Sequence, residues 1–561
     1  MRHSAMGKRC RLASTHPTSK WLHAVRRSPE VAVPWRSGSR CVIRVLLSRG
    51  AVAPTPPGIG SVGQRQQTNR RFDVDAITVP GGRGPAFPVE DLPEAPIKNL
   101  TPRRLIGILG PAVIALGGTI GGGEWLIGPS LFVKWGLVLL WITTISSTLQ
   151  VFLNLEMVRY TLYTGEPITV GFMRLSPGKT FWGVLFSIVG FIERSMPGWA
   201  LATATALAAF QLGRIPGASE QGTVIFWGYV VFLVCAFLVS IGGRIERTLE
   251  IANWIMMVVV LGGLLILDIL VVPASTWGEA LVGYVSFGQI PRGVDLLLLG
   301  ALVGYSAYGG FGNNAITNWY RDKGYGMGKK VGYIPTIIGG TAIHVSPHGN
   351  AAPVNEENIS RFKGWWKLLN IDQWAIFWGG AMLGMLLPAL LYVTMLPRGE
   401  TLPSWGIAVS PASGLSRVLG PWGFYLIVFF GFWILFSTAI SNVDLVCRQI
   451  TDMLWFASDK VRRWSNSDIR KVYYLLLIAI VIWGSAAMNA TLPLILLAIS
   501  ANVANFTMAL SAILTIIVNR KFLPREFRPA AWREFILVLC LLFFGFFFTL
   551  FVTSQFFGLK F

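Results

Sequence analysis

The sequence predicts an all-α polytopic membrane protein in which two inverted five-helix repeats are followed by an eleventh helix. The composition supports this fold class, because 53% of the residues are hydrophobic, 13% are charged and the mean hydropathy is +0.56. Many apolar runs approach the roughly twenty residues that a helix needs to cross a bilayer. Two of these runs, five spans apart, are interrupted by glycines, as in paired repeats with broken helices.

Residues 1–100 are predicted to form a disordered tail. Residues 1–72 contain 12 Arg and 2 Lys against one acidic residue, Glu30, without sustained apolar periodicity. We interpret them as upstream sequence included by a misplaced start, with a targeting peptide or a membrane-surface arm as alternatives. A nucleic-acid partner is disfavoured because no binding module accompanies the arginines.

Eleven spans are predicted and are numbered in chain order. The spans are 105–135, 136–160, 181–210, 222–241, 250–272, 295–319, 371–396, 421–450, 472–487, 491–518 and 533–557. The first repeat covers 101–272, the second covers 273–520 with a cytoplasmic loop at 321–368, and the extra helix lies in 521–561.

The distribution of basic residues predicts the orientation. With a cytoplasmic N-terminus, the inside loops and the span ends beside them contain 23 Lys and Arg, and the outside segments contain six. This imbalance agrees with the positive-inside rule and places the C-terminus outside. We expect a multi-pass protein of a bacterial inner (plasma) membrane.

Span 1 is predicted to be broken at its centre, where five glycines in seven residues precede Glu124. Glycine favours departure from the helix, and unwound backbone at membrane depth is tolerated only where it faces protein or a water-filled cavity. We therefore predict a binding site at Gly121, Gly123 and Glu124. Glu124 is expected to bind a cation or carry a proton; the alternative is that it caps the freed amides of its own second half-helix.

Span 6 contains the second predicted break, marked by Gly304, Gly309, Gly310 and Gly312. Polar residues follow these glycines closely. The candidate ligands here are Tyr308, Gly309, Asn313 and Asn314.

Other spans contain ionisable residues, which are costly in a membrane and usually functional. Glu193 and Arg194 of span 3 precede Pro197; they form either a pathway or a structural pair. Asp444 of span 8 lies in a polar half-span and predicts a sodium or proton site, or packing contacts between helices. Further candidates are Asn442 and Asn505, whereas Asp268 is interpreted as interfacial.

Several functions are disfavoured by the residues present. No histidine lies in a span, and the span cysteines are isolated, which disfavours a soft transition-metal site. His344 and His348 flank Pro347 in a loop that is predicted to be solvated. No nucleophile–base or His-Glu-x-x-His motif is present, so an enzyme is disfavoured and no cofactor is expected.

The string GPAVIALGGTIGGGEW and the order of the spans resemble the Nramp (natural resistance-associated macrophage protein) divalent-metal transporter family. That resemblance implies a leucine-transporter-like fold. In the family, span 1 breaks at Asp-Pro-Gly-Asn, and Gly121 to Glu124 stand at these positions. The family's Met-Pro-His of span 6 falls near Tyr308-Gly309-Gly310, so its sulfur ligand and histidine are replaced.

Two hypotheses for the function follow. In the first, a secondary transporter moves a hard divalent cation held by Glu124, backbone carbonyls and Asn313 or Asn314. In the second, the same fold moves an amino acid or another organic solute, gripped by glycine amides and gated by Tyr305 or Tyr308. The many glycines favour the second, since they would leave more room than one ion needs, and Glu124 favours the first. The expected partners are this solute and the lipid bilayer, and the oligomeric state stays open.

Overall fold

The computed structural model describes residues 78–97, 101–195, 197–341, 343–402, 405–489 and 493–558. The predicted tail 1–72 lies outside the described residues. Within the described part of the chain, eight helices are long and apolar enough to cross a membrane. These helices are Leu137–Thr164, Ala218–Leu238, Ile245–Val271, Glu356–Met395, Pro421–Ala457, Ile469–Ala487, Leu494–Phe522 and Ala531–Phe557.

The three other predicted spans coincide with helices that change geometry part-way. Span 1 consists of Pro111–Thr119, a π-helix at Ile120–Ile127 and Gly128–Trp135. Span 3 is divided into Lys179–Arg194 and Gly198–Leu212, and span 6 into Leu296–Tyr305 and Gly310–Lys323. The interruption of span 3 was not predicted, although Pro197 explains it, because proline cannot donate a helical hydrogen bond.

The break predicted in span 1 is wrong in kind, because the chain stays helical and only widens to a π-helix. The glycines serve close packing instead of unwinding. A Cβ atom at Gly123 would lie 1.9 Å from the carbonyl oxygen of Tyr305, and one at Gly121 would lie 2.2 Å from the Thr438 hydroxyl oxygen. The Tyr305 backbone of span 6 and the Thr438 side chain of span 8 therefore fill the room that the glycines were expected to leave open.

Shorter helices connect the spans. They are Pro102–Ile108, Ile168–Met173, Ala274–Val285, Gly328–Val331, Ala412–Leu419 and Asp459–Trp464, with 3-10 turns at Ile407–Val409 and Arg525–Phe527. Span 7 begins at Glu356, inside the predicted loop 321–368, and contains a π-helix at Asp372–Trp378. The Asn355 side chain caps it by accepting a hydrogen bond from the Asn358 N–H.

Burial separates the inner spans from the outer ones. In the most apolar stretches of spans 2, 7, 8 and 10, 67–72% of the residues are buried inside the protein. The corresponding share is 28% for spans 4, 5 and 11. The outer spans therefore present apolar side chains to the lipid, and the inner spans surround the candidate site.

The disordered tail was predicted to extend to residue 100, but residues 78–97 form strands and buried contacts. Strand Thr78–Val79 pairs antiparallel with Phe87–Pro88, and Phe87 and Leu92 are buried. The Leu92 N–H donates to the Asn358 side chain. This lead-in thus packs on the first turn of span 7 and on the loop before it.

Arg174 connects the lead-in to the loop that follows span 2. Its guanidinium donates to the carbonyls of Gly81 and Pro85 at 3.0 and 2.6 Å and pairs with Glu166 at 2.5 Å. Glu166 also accepts from the Gly349 N–H. Burial raises the pKa of the Glu166 carboxyl, but Arg174 and the other donors more than offset this, and its pKa lies below the usual value. His348 is half-buried beside this contact, so the loop around it is less solvated than predicted.

Arg174→Met is expected to lower the free energy of unfolding by about 3–5 kcal/mol at neutral pH, because Glu166 stays buried without its cation. In the wild type, the lowered pKa contributes stability above the ordinary glutamate pKa, and this stability is lost as the pH falls through the lowered value. In the variant, the penalty shrinks at acid pH as Glu166 takes up a proton. Thermal unfolding across pH measures the difference, with Arg174→Lys as control; a difference independent of pH would contradict this role.

Candidate functional site

The candidate site surrounds the break in span 6. Ala307, Gly309 and Gly310 have positive φ angles of 78°, 84° and 40°, so the chain leaves the helix between Tyr305 and Gly310. Peptide groups that lose their helical partners at membrane depth must be bound by other groups. Side chains of spans 1, 2 and 3 bind them here.

Glu124 of span 1 reaches across to this break. One of its carboxylate oxygens accepts a hydrogen bond from the Ala307 N–H at 3.1 Å. The other oxygen is buried and has no hydrogen-bond partner among the described residues. Glu124 was alternatively predicted to cap the second half of its own helix. It caps a backbone N–H of the span 6 break instead.

Gln150 of span 2 acts as a substitute peptide group. Its Oε1 accepts from the N–H groups of Tyr308 and Gly309 at 3.0 and 2.9 Å, and its Nε2 donates to the Ser306 carbonyl at 2.6 Å. A primary amide can do this because it offers both donors and acceptors. Gln150 was missed at the sequence level; an uncharged amide at the centre of an apolar span was the available signal.

Gln150→Leu is expected to destabilise the protein by at least about 2 kcal/mol, because it strands buried backbone groups of the break. The matched control is Ser147→Ala, one turn earlier in span 2. The Ser147 hydroxyl donates to Thr143 in its own helix and to the sulfur of Met382, so its loss should matter little. Thermal unfolding of both purified variants tests this, and equal midpoints would contradict the role given to Gln150.

Arg194 of span 3 binds the carbonyl side of the break. Its Nη2 donates to the carbonyl oxygens of Tyr308 and Gly309 at 2.7 and 2.6 Å. Its guanidinium also lies 4.8 and 5.1 Å from the ring centres of Tyr305 and Tyr308. The Asn442 side chain accepts a longer bond of 3.3 Å from Nη1, which brings this predicted residue to the site.

Glu193 binds the amide side of the break. Its two carboxylate oxygens lie 2.8 and 3.0 Å from the Phe311 N–H, which is in the first turn of the second half of span 6. It also accepts from the Thr507 hydroxyl and pairs with Arg194 at 2.9 Å. Of the two interpretations of Glu193 and Arg194, the contacts favour the structural pair.

Asn313 begins a row of buried side chains that leads away from the break. Its Nδ2 donates to Gln150 and to Asn154 at 3.2 and 2.8 Å. The row continues from Asn154 through Gln373 and Tyr320 to Asp372. The adjacent Asn314 has no partner for either amide atom in the described part of the chain.

Asp372 of span 7 ends this row and was also missed at the sequence level. One of its oxygens accepts from the Tyr320 hydroxyl at 2.6 Å and from the Ala112 N–H at 3.1 Å. Ala112 lies in the first turn of span 1, so Asp372 caps that helix from another span. Helix-cap contacts across spans leave no pattern in a single sequence.

Asp444 lies in a separate charged network. Its oxygens accept from Arg448, from the Trp319 indole at 3.0 Å and from the Tyr473 hydroxyl at 2.7 Å. Arg448 also pairs with Asp322, and Arg321 pairs with Asp452. These contacts favour packing of spans 6, 8 and 9 over an ion site at Asp444. Asn505 binds span 6 before its break, where its side chain donates to the Gly300 carbonyl.

The hydroxyls of span 8 hold span 1 beside the π-helix. Ser437 and Thr438 donate to the Gly117 carbonyl at 2.9 and 3.1 Å, and the Thr438 hydroxyl accepts from the Gly121 N–H. A cavity of about 20 Å³ adjoins Ser437 and is partly lined by Asn253. This volume fits about one water molecule.

No group of three or more His, Cys, Asp or Glu side chains that could hold a metal ion occurs in the residues that the structure describes. The candidate site thus offers one carboxylate that no arginine pairs with among the described residues, Glu124, at a break lined by backbone amide and carbonyl groups. The predicted residues that meet here are Gly123, Glu124, Tyr308, Gly309, Asn313, Glu193, Arg194 and Asn442, whereas Gly121 packs against Thr438 of span 8.

Comparison with solved structures identifies the architecture. A crystal structure of the Eremococcus coleocola manganese transporter, in complex with an aromatic bis-isothiourea substituted compound, superposes with a TM-score of 0.55 at 15% identity. The match covers 82% of this chain and 89% of that transporter. The chain has the fold of this membrane transporter. At such low identity the likeness concerns the fold alone.

A second similar structure is MhsT in complex with L-phenylalanine. Its TM-score is 0.45 at 14% identity, with 79% of this chain and 98% of that chain covered. No protein-family model and no curated protein matches the sequence. The superposition on the manganese transporter confirms the predicted all-α polytopic transporter fold.

Proposed function

We propose that the protein is a secondary active transporter that moves a hard divalent cation, such as magnesium or manganese, by alternating access. The observation that carries this proposal is the unpartnered oxygen of Glu124, buried beside the break of span 6. A buried carboxylate without a cation is costly, and a transported cation or a proton offsets that cost. Protons are accordingly the candidate coupling ions.

The pairing of two other predicted carboxylates supports Glu124 as the cation ligand. Glu193 and Asp444 are each paired with an arginine, Arg194 and Arg448. A carboxylate that is already neutralised by a guanidinium attracts a further cation weakly. Glu124 combines burial, an unpartnered oxygen and a position at the break.

The ligand types around the break support a hard cation. The break beside Glu124 carries carbonyl oxygens of Tyr305 and Ser306 and the Gln150 amide, and carboxylate and carbonyl oxygens are ligands that magnesium and manganese prefer. Magnesium in proteins often uses one or two carboxylates and keeps several waters, so one carboxylate is a sufficient anchor. The resemblance of the chain to the Nramp family also supports cation transport, and we propose that the protein is a divergent relative of it.

The alternative cargo is an amino acid or another small organic solute. Two observations weigh against it. The amides of span 1 remain in a π-helix, and the glycines there are packed against spans 6 and 8 instead of bordering open room. The amide end of the span 6 break already binds Glu193. A free carboxylate would therefore find these amides engaged.

The proposal is tested by uptake into proteoliposomes that contain the purified protein. We expect saturable uptake of magnesium or manganese that responds to a pH gradient, and no uptake of amino acids. Empty liposomes are the control. Saturable amino-acid uptake without any response to metal would contradict the proposal and favour the alternative.

A further inference from the structure

We propose that Glu193 and Arg194 act as a built-in zwitterion that occupies the break of span 6 and excludes free carboxylates and amino acids from it. A zwitterionic solute at a helix break needs amide donors for its carboxylate and carbonyl acceptors for its cation. Both sets are bound here by adjacent residues of the chain itself. This makes the pair a specificity determinant of the proposed transporter.

The carboxylate half of the pair lies at the start of a 14-residue helix, Gly310–Lys323. Helix N-termini attract anions because their first N–H groups lack helical partners. Glu193 is 1% exposed, and both of its carboxylate oxygens accept a hydrogen bond from the Phe311 N–H. A Cβ atom at Gly310 would lie 2.4 Å from Glu193 Oε2, so the glycine makes room for this internal anion.

The cationic half binds the carbonyls directly before that helix. Arg194 donates to the carbonyls of Tyr308 and Gly309, and the rings of Tyr305 and Tyr308 flank its guanidinium. The ammonium group of an amino acid would seek the same carbonyls and ring faces. That position is filled by a side chain whose exposed fraction is 4%.

The geometry of span 3 places Glu193 and Arg194 at the break. Its first half ends at Arg194, because Pro197 interrupts the helix, and the last turn therefore points both side chains at the break. The Glu193 carbonyl in turn accepts from the Tyr305 hydroxyl at 3.2 Å. An external carboxylate would have to displace a tethered one, which is held at high effective concentration.

The test removes the Glu193 carboxylate by mutation and adds a free carboxylate in its place. Glu193→Ala removes the CH₂–COO⁻ portion of the side chain, which acetate can replace in both size and charge. We expect sodium acetate to raise the Tm of purified Glu193→Ala saturably, by roughly 2 to 4 °C, relative to sodium gluconate, which is too large for the space. The wild type and Glu193→Gln, which fills the space and keeps an acceptor, should show no acetate-specific shift.

A second variant covers the risk that Arg194 without its partner prevents folding. Glu193→Ala/Arg194→Gln leaves no unpaired buried charge and should still respond to acetate, with a smaller shift. An acetate-specific shift in either variant, or recovery of folded protein only in acetate, supports the inference. It is contradicted if the folded variants ignore acetate, if the wild type responds equally, or if neither variant folds even in acetate.

Thermal shifts report on the occupied break and not on cation transport. The inference rests on the proposed function only where it says that the pair determines which solutes are transported. Absence of metal uptake by the wild type would refute the proposed function and leave the acetate result unchanged. A missing acetate shift would refute the built-in zwitterion and leave the metal uptake unchanged.

Discussion

Glu124→Gln is expected to abolish cation uptake while the protein stays folded. The glutamine oxygen can still accept the hydrogen bond from the Ala307 N–H, so the cap on the break is kept. The amide has no charge to offer a cation in place of the unpartnered carboxylate oxygen. Removing one member of a buried charge pair costs roughly 2–5 kcal/mol, which is about a 30- to 4,000-fold loss of affinity.

The measurement is uptake of magnesium or manganese into proteoliposomes at several values of pH. Because a proton and a cation compete for the same oxygen, the pH dependence of residual uptake should also flatten. Asp268→Asn in span 5 is the matched control. Both oxygens of Asp268 are buried without partners among the described residues, and span 5 is a continuous helix without a break. Normal uptake by Glu124→Gln, with misfolding of Glu124→Ala, would show that Glu124 is a cap alone.

Asp444→Asn is expected to destabilise the protein by about 3 kcal/mol and to leave the cation affinity of the folded fraction unchanged. Asp444 accepts hydrogen bonds from Arg448, Trp319 and Tyr473, and its replacement leaves Arg448 with Asp322 as its remaining partner. Breaking a buried ion pair by removing one partner is costly because the other charge stays buried. Thermal unfolding gives the stability, and the KM for metal uptake gives the affinity.

The double variant Asp444→Asn/Arg448→Gln separates pairing from ion binding. If the two residues form a structural pair, the double variant should be less destabilised than the two single losses added together. A large rise in KM for Asp444→Asn, at unchanged stability, would instead support the predicted sodium or proton site in span 8.

The fold class could be predicted because its signals are local. Apolar runs mark the spans, basic residues mark the loops between them, and glycines mark the break of span 6. Glu124 stood out for the same reason, as an acidic residue inside an apolar run. Its hydrogen bond to Ala307 could not be predicted, because the two residues are 183 positions apart and only packing brings them together.

The errors have a common physical origin. Glycine permits both unwinding and close packing, and the sequence does not distinguish the two. In span 1 the glycines allow close packing against spans 6 and 8. The break in span 3 was overlooked because a single proline can bend a helix or divide it. Gln150 and Asp372 act on the backbone of distant spans, so their roles follow from tertiary contacts and not from periodicity.

Anomalous diffraction from crystals soaked in manganese tests the central claim most directly. We expect a peak within about 2.5 Å of a Glu124 carboxylate oxygen, beside the break of span 6, in the wild type. The peak should be absent from crystals of Glu124→Gln treated in the same way. A peak at the Asp444 network, or one that persists in Glu124→Gln, would contradict the assignment of Glu124 as the cation ligand.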